Sequence, residues 1–120
     1  MKQNPSILNT EIVLNRLNGD QFLFDALYRI YLKQIRNYMQ EFEKSLRKGD
    51  FQQIAAISHS LKSCFQAIGA ELCDKTNQLL FNAIVTGTLE KVPQLFITLS
   101  HELDRLFLSL SEKGLDEYSD

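Results

Sequence analysis

Ser58-His59-Ser60-Leu61-Lys62-Ser63-Cys64-Phe65-Gln66-Ala67-Ile68-Gly69-Ala70 reads as the second half of an amphipathic helix that stops near a glycine. Ser58, Leu61, Phe65 and Ile68 continue a series begun at Phe51 and Ile54, spaced three or four apart as a buried helical stripe requires. At about 100° per residue, the centre of that stripe and His59 fall on roughly opposite sides of the helix, so His59 is expected to face water. Its neighbours at helical spacing are Ala55, Ala56, Lys62, Ser63 and Gln66. They form a patch of short side chains carrying one imidazole, one ammonium and one amide.

Upstream, Thr10 is placed to cap a short helix through Ile12, Val13 and Leu17, which Asn18-Gly19 ends. Asp20 caps a second helix running to about Lys48, with the stripe Leu23, Phe24, Leu27, Ile30, Tyr31, Ile35, Tyr38, Phe42 and Leu46. Gly49 serves as its left-handed terminator. Asp50 opens the third helix, and Gln53 three residues on has the spacing of a capping box.

Downstream, Gly69 marks either a kink or a loop, because glycine costs roughly 1 kcal/mol inside a helix relative to alanine. A fourth helix follows through Leu72, Leu79, Leu80, Ala83 and Ile84 to Thr86-Gly87-Thr88. The last begins between Leu89 and Pro93, since a first turn tolerates proline. Leu95, Leu99, Leu103, Leu106 and Leu110 make its stripe. Strand-like alternation is absent. The expectation is an all-α chain, an up-down-up-down antiparallel four-helix bundle with a short additional N-terminal helix. Residues 1–9 would be a flexible or loosely docked lead, 10–113 the domain, and 114–120 an acidic tail.

The chain has 120 residues, enough for one hydrophobic core, with 13 basic and 15 acidic side chains and a formal charge of -2. That balance lacks the basic patch of a nucleic-acid binder. No apolar run is long enough to span a membrane, and Met1-Lys2-Gln3-Asn4-Pro5 lacks the pattern of a secretory signal. Cys64 and Cys73 lie nine apart without a C-x-x-C and are expected as free, buried or half-buried thiols. A cytoplasmic location is expected.

Of the two histidines, His101 has a polar neighbourhood of Ser100, Glu102, Asp104 and Arg105 and reads as a solvated surface residue. His59 differs. Short neighbours let a partner approach the ring, Lys62 can neutralise an anion on it, and Gln66 can donate a hydrogen bond to that anion. No carboxylate falls in the patch as in a Ser/His/Asp hydrolase. Zinc would need three or four ligands, which the spacing does not supply. Glycine-rich phosphate loops are missing. What is left is an imidazole nucleophile toward phosphorus.

The residues resemble the histidine-containing phosphotransfer (HPt) domain family over roughly Asn9 to Leu110. Val13-Leu14-Asn15-Arg16-Leu17-Asn18-Gly19-Asp20 is similar to the family's entry helix and turn, and Lys48-Gly49-Asp50-Phe51 to the turn before its active helix. The core of the likeness is His59-Ser60-Leu61-Lys62-Ser63 followed by Ile68-Gly69-Ala70. The resemblance implies His59 as phosphoacceptor, Lys62 as a contact for the phosphoryl group or the incoming receiver, and a structural close approach of helices at Gly69. Ala55, Ala56, Ser63 and Gln66 would form the receiver-docking face. Ser63 stands where the family usually has glycine, Phe65 where a small residue is common, and Cys73 where leucine is typical. Phe81 stands where Glu or Gln often contacts the active histidine, so Gln66 is the remaining candidate to orient His59.

Implied with this are response-regulator receiver domains and a hybrid sensor kinase as partners, with Mg²⁺ on the receiver and no cofactor or metal of the chain's own. The chain would be a monomeric phosphocarrier without kinase activity. Two rivals are a helical adaptor that binds a receiver or sensor kinase without being phosphorylated, and a dimerising element of a histidine kinase.

Overall fold

A computed structural model describes residues 5–114, and every regular element among them is helical: α1 (Thr10–Arg16), α2 (Gln21–Lys48), α3 (Phe51–Ile68), α4 (Glu71–Val85), a single 3₁₀ turn (Leu89–Lys91) and α5 (Val92–Glu112). Of the acidic tail expected at 114–120, residues 115–120 lie outside the described residues, as do residues 1–4. No helix among the described residues is long and apolar enough to cross a membrane.

The helix ends follow from local chemistry. Asp20 accepts from the Leu23 amide and Asp50 from the Gln53 amide, each satisfying a donor that the first turn leaves orphaned. The capping box is only half made, because the Asp50 amide itself donates to the Ser45 carbonyl. Asn9 caps α1 in place of the expected Thr10, which is the first helical residue. At the joint of α3 and α4 the choice falls on a break. Gly69 adopts φ +75°, and the Ala70 amide turns back to the Phe65 carbonyl at 2.9 Å.

Contacts between helices pair the early part of one with the late part of the next, as in antiparallel neighbours. Between α2 and α3, the Tyr28 hydroxyl donates to the Ile68 carbonyl and the Cys64 thiol to Gln34 Oε1 at 3.7 Å. Between α3 and α4, Ser58 meets Asn77 and Gln66 meets Asp74. Across α2 and α5, the Phe42 and Phe96 rings are 4.7 Å apart, and the Arg36 guanidinium lies 4.1 Å from the Phe107 ring centre.

The α3 and α5 stripes are buried as expected at Ile54, Leu61, Phe65, Ile68, Leu99, Leu103, Leu106 and Leu110. Three expected core positions are exposed instead: Leu23, Ile30 and Leu79. In α2 their places are taken by Tyr28 and Leu32, both fully buried. Tyr28 can be buried because its hydroxyl has the Ile68 carbonyl, and burial pushes that phenol well above its ordinary range. Cys64 and Cys73 are free and buried; burial pushes both thiols up, Cys73 to about 12.

Within the described residues, Ser6 and Asn9 of the lead are hydrogen-bonded to the α3–α4 joint. The Asn9 amide donates to the Gly69 carbonyl at 2.8 Å, and the Leu72 amide to the Ser6 carbonyl at 2.9 Å. Glu71 receives the Ser6 amide on one carboxylate oxygen and the Asn9 side-chain amide on the other. α4 has no side-chain cap of its own, so the backbone of the lead does that work. The close neighbours of Gly69 are Asn9 and, on α1, Val13. A Cβ there would lie 2.5 Å from the Asn9 carbonyl oxygen and 3.2 Å from Val13.

Candidate functional site

His59 occupies the exposed face of α3, one residue after a polar lock that fixes α3 against α4. Ser58 Oγ donates to Asn77 Oδ1 at 2.8 Å, and Asn77 Nδ2 donates to the Ser58 carbonyl at 2.9 Å. Both residues are almost fully buried. Buried polar groups cost free energy unless paired, and this pair satisfies itself reciprocally. The sequence placed Ser58 on the buried stripe correctly, but its partner is an amide on α4. The lock sets the register of the two helices directly beneath the imidazole.

Above the lock is a cleft of about 300 Å³ between the two helices, lined by Ser58, His59 and Lys62 from α3 and by Asn77, Gln78, Phe81 and Asn82 from α4. His59 and Lys62 are thus brought together on one wall, one turn apart. Gln78, Phe81 and Asn82 share the other wall because residues three and four apart lie on one helical face. Gln78 and Asn82 are exposed and Phe81 is half-buried.

The remaining patch residues distribute by angle around α3. Ala56 and Ser63 are exposed on the flank away from the cleft, and Ala55 is half-buried. Gln66 is exposed but is not part of the cleft; its amide donates to Asp74 Oδ2 at 3.4 Å. Two turns separate it from His59, about 10 Å along the axis at 1.5 Å per residue. The same Asp74 oxygen accepts from Gln78 Nε2 at 3.2 Å. So the patch does have a carboxylate beside it, supplied by α4, which the pattern of α3 alone does not reveal. Gln78, Asn77 and Asp74 escaped the sequence reading because they reach the site only through tertiary pairing.

Support for α3 also comes from α1, where Arg16 donates to the Gln66 carbonyl at 3.0 Å, a last-turn carbonyl that otherwise has only the Gly69 amide at 3.4 Å. His101 is exposed on α5, and it does not line this cleft. Among the described residues no group of three or more His, Cys, Asp or Glu side chains is placed to hold a metal ion.

A helical hairpin that holds one imidazole and one ammonium at an open cleft is the setting in which the family comparison becomes decisive. The model of the Hpt domain matches residues 26–108, which include both helices of the cleft. The chain belongs to the Hpt domain family. Among solved structures, the crystal structure of histidine-containing phosphotransfer protein B (HptB) from Pseudomonas aeruginosa PAO1 matches with a TM-score of 0.83 and 17% sequence identity, over 97% of this chain and 100% of that one. At that identity the likeness is one of fold. A comparison with curated protein sequences finds no match. As an Hpt domain the chain has a histidine phosphotransfer role in phosphorelay.

Proposed function

We propose that this Hpt domain, built as an up-down-up-down antiparallel bundle, accepts a phosphoryl group on His59 from a receiver-domain aspartate and passes it to a second receiver. The observation that carries the reading is the cleft in which exposed His59 and Lys62 lie together. The other histidine of the chain, His101, is on a different helix.

In this mechanism the neutral imidazole uses a ring nitrogen, Nε2, as nucleophile on phosphorus. The N–P bond forms as the bond between phosphorus and the aspartyl oxygen breaks, and the carboxylate leaves with the electron pair. The ring, briefly an imidazolium, releases its Nδ1 proton to water. Lys62 offsets the charge of the phosphoryl group as an ammonium within reach of its oxygens. Mg²⁺ held by the receiver would stabilise charge on the phosphoryl oxygens during transfer. Ala55, Ala56, Ser63 and Gln66 would form the docking face, short enough around His59 for a second protein to seat on it. The carrier would act as a monomer in the cytoplasm, without kinase activity, downstream of a hybrid sensor kinase.

The test is incubation with a phosphorylated receiver, comparing the wild type with His59→Gln. The wild type should acquire an acid-labile label and the variant none, while still binding the receiver. A label that persists on His59→Gln would overturn the reading. A wild type that binds but is never labelled would favour an adaptor.

A further inference from the structure

We infer that Gln78 is a second ligand of the phosphoryl group, handed over from Asp74 when His59 is phosphorylated; this rests on the reading of His59 as the phosphoacceptor. The cleft is two-walled, and a group on His59 would meet Lys62 from α3 and Gln78 from α4. Gln78 follows Asn77 directly, and Asn77 is locked to Ser58, the residue before His59. The lock therefore fixes the α4 backbone beside Gln78 against the α3 backbone beside His59, while the Gln78 amide rests on Asp74.

Phe81, on the same wall, has no polar atom to offer. Asn82 has a shorter side chain, lies more than a turn beyond Asn77, and also lines a neighbouring apolar groove with Leu79, Ala83 and Leu95. Gln78 is the amide with both reach and position.

The hydrogen bonds of Asp74 make the exchange inexpensive. Asp74 Oδ2 accepts from both Gln66 Nε2 at 3.4 Å and Gln78 Nε2 at 3.2 Å, one at and one beyond the long end of the ordinary range. When Gln78 turns toward the phosphoryl oxygens, Gln66 remains on Asp74. Its carboxylate then keeps a donor, although its other oxygen, Oδ1, is buried and unpaired. The Gln78 bond is thereby redirected from one anion to another, and no covalent bond changes. Gln66 acts as the retaining donor at Asp74, and Gln78 takes the role at His59 that the sequence assigned to Gln66.

The experiment measures single-turnover transfer from a phosphorylated receiver to the full chain carrying Gln78→Ala, Gln78→Glu, Asp74→Ala or His59→Gln. Loss of a hydrogen bond to a charged group predicts that Gln78→Ala lowers the maximal rate about ten- to a hundred-fold. The receiver concentration for half-saturation should stay unchanged. Gln78→Glu, of equal length but with no donor, should be slower still, and Asp74→Ala should transfer at least as fast as wild type. Wild-type maximal rates in both Gln78 variants, or a change confined to half-saturation, would overturn the assignment to the phosphoryl group. Label remaining on His59→Gln would instead sink the phosphoacceptor reading beneath it. Circular dichroism checks folding, and two Gln78 variants are used so that one unfolded protein does not decide the outcome.

Discussion

Asn77 and Ser58 exchange hydrogen bonds across the α3–α4 interface, and this buried pair lies directly beneath His59. Asn77→Ala removes the short acceptor of the Ser58 hydroxyl, leaving it only the residue 77 backbone carbonyl at 3.4 Å, and removes the side-chain donor to the Ser58 carbonyl. A buried hydroxyl that loses its short hydrogen bond costs up to about 1–3 kcal/mol. The variant should therefore unfold at lower urea, and phosphotransfer should slow in the fraction still folded because the two walls lose their register. A denaturation midpoint equal to wild type would show that the lock contributes nothing.

Leu61 and Lys62 are sequence neighbours with opposite fates, one fully buried and one exposed. Leu61→Ala should cost about 2–5 kcal/mol, the range for truncating a buried leucine. Lys62→Ala should stay within about 0.5 kcal/mol of wild type, as surface changes usually do, yet slow transfer to His59. Thermal melts together with transfer assays separate the two; a severe melt defect in Lys62→Ala would misplace the helical face.

Gly69→Ala puts a methyl group against the Asn9 carbonyl at a backbone conformation that favours glycine. The left-handed geometry alone costs about 1–2 kcal/mol for a residue with a Cβ. Amide exchange at Asn9 and Leu72, whose hydrogen bonds tie down the lead, should speed up in the variant. Unchanged exchange at both amides would mean that the turn absorbs the methyl without moving the lead.

Glu71 supplies a pH dependence. Hydrogen bonds from the Asn9 side chain and then the Ser6 amide hold its carboxyl below the ordinary value of 4.5. A depressed folded-state value means that the unfolded chain binds the proton more readily. The contribution of Glu71 is thus complete above the ordinary value and is lost as pH falls through the lower folded one. Acid melts of the wild type and Glu71→Gln should differ at neutral pH and converge in acid. Parallel curves at every pH would remove Glu71 from the acid response.

Much of the fold is legible where one residue determines its own surroundings. Asp20, Asp50, Gly49 and Gly69 act within a few residues, and the helix limits they imply agree with those observed. The α2 stripe is less legible because its apolar residues occupy more than one face, and only neighbouring helices decide which is covered. Ile30 keeps period as well as Leu32 does, yet Ile30 is exposed and Leu32 fully buried. Tyr28 is buried because a carbonyl forty residues away in the chain receives its hydroxyl. The same limit applies to the candidate site. The pattern of α3 identified His59 and Lys62 on one face, whereas the opposite wall needed the pairing of α3 with α4.

Both walls of the His59 cleft come from consecutive helices joined at Gly69-Ala70. Contacts that are close in sequence carry a small loop-closure cost and form early. The cleft should consequently open and re-form as one cooperative piece in hydrogen exchange, with α3 and α4 protected together. The time the carrier spends competent for chemistry is then governed by the lifetime of that single hairpin.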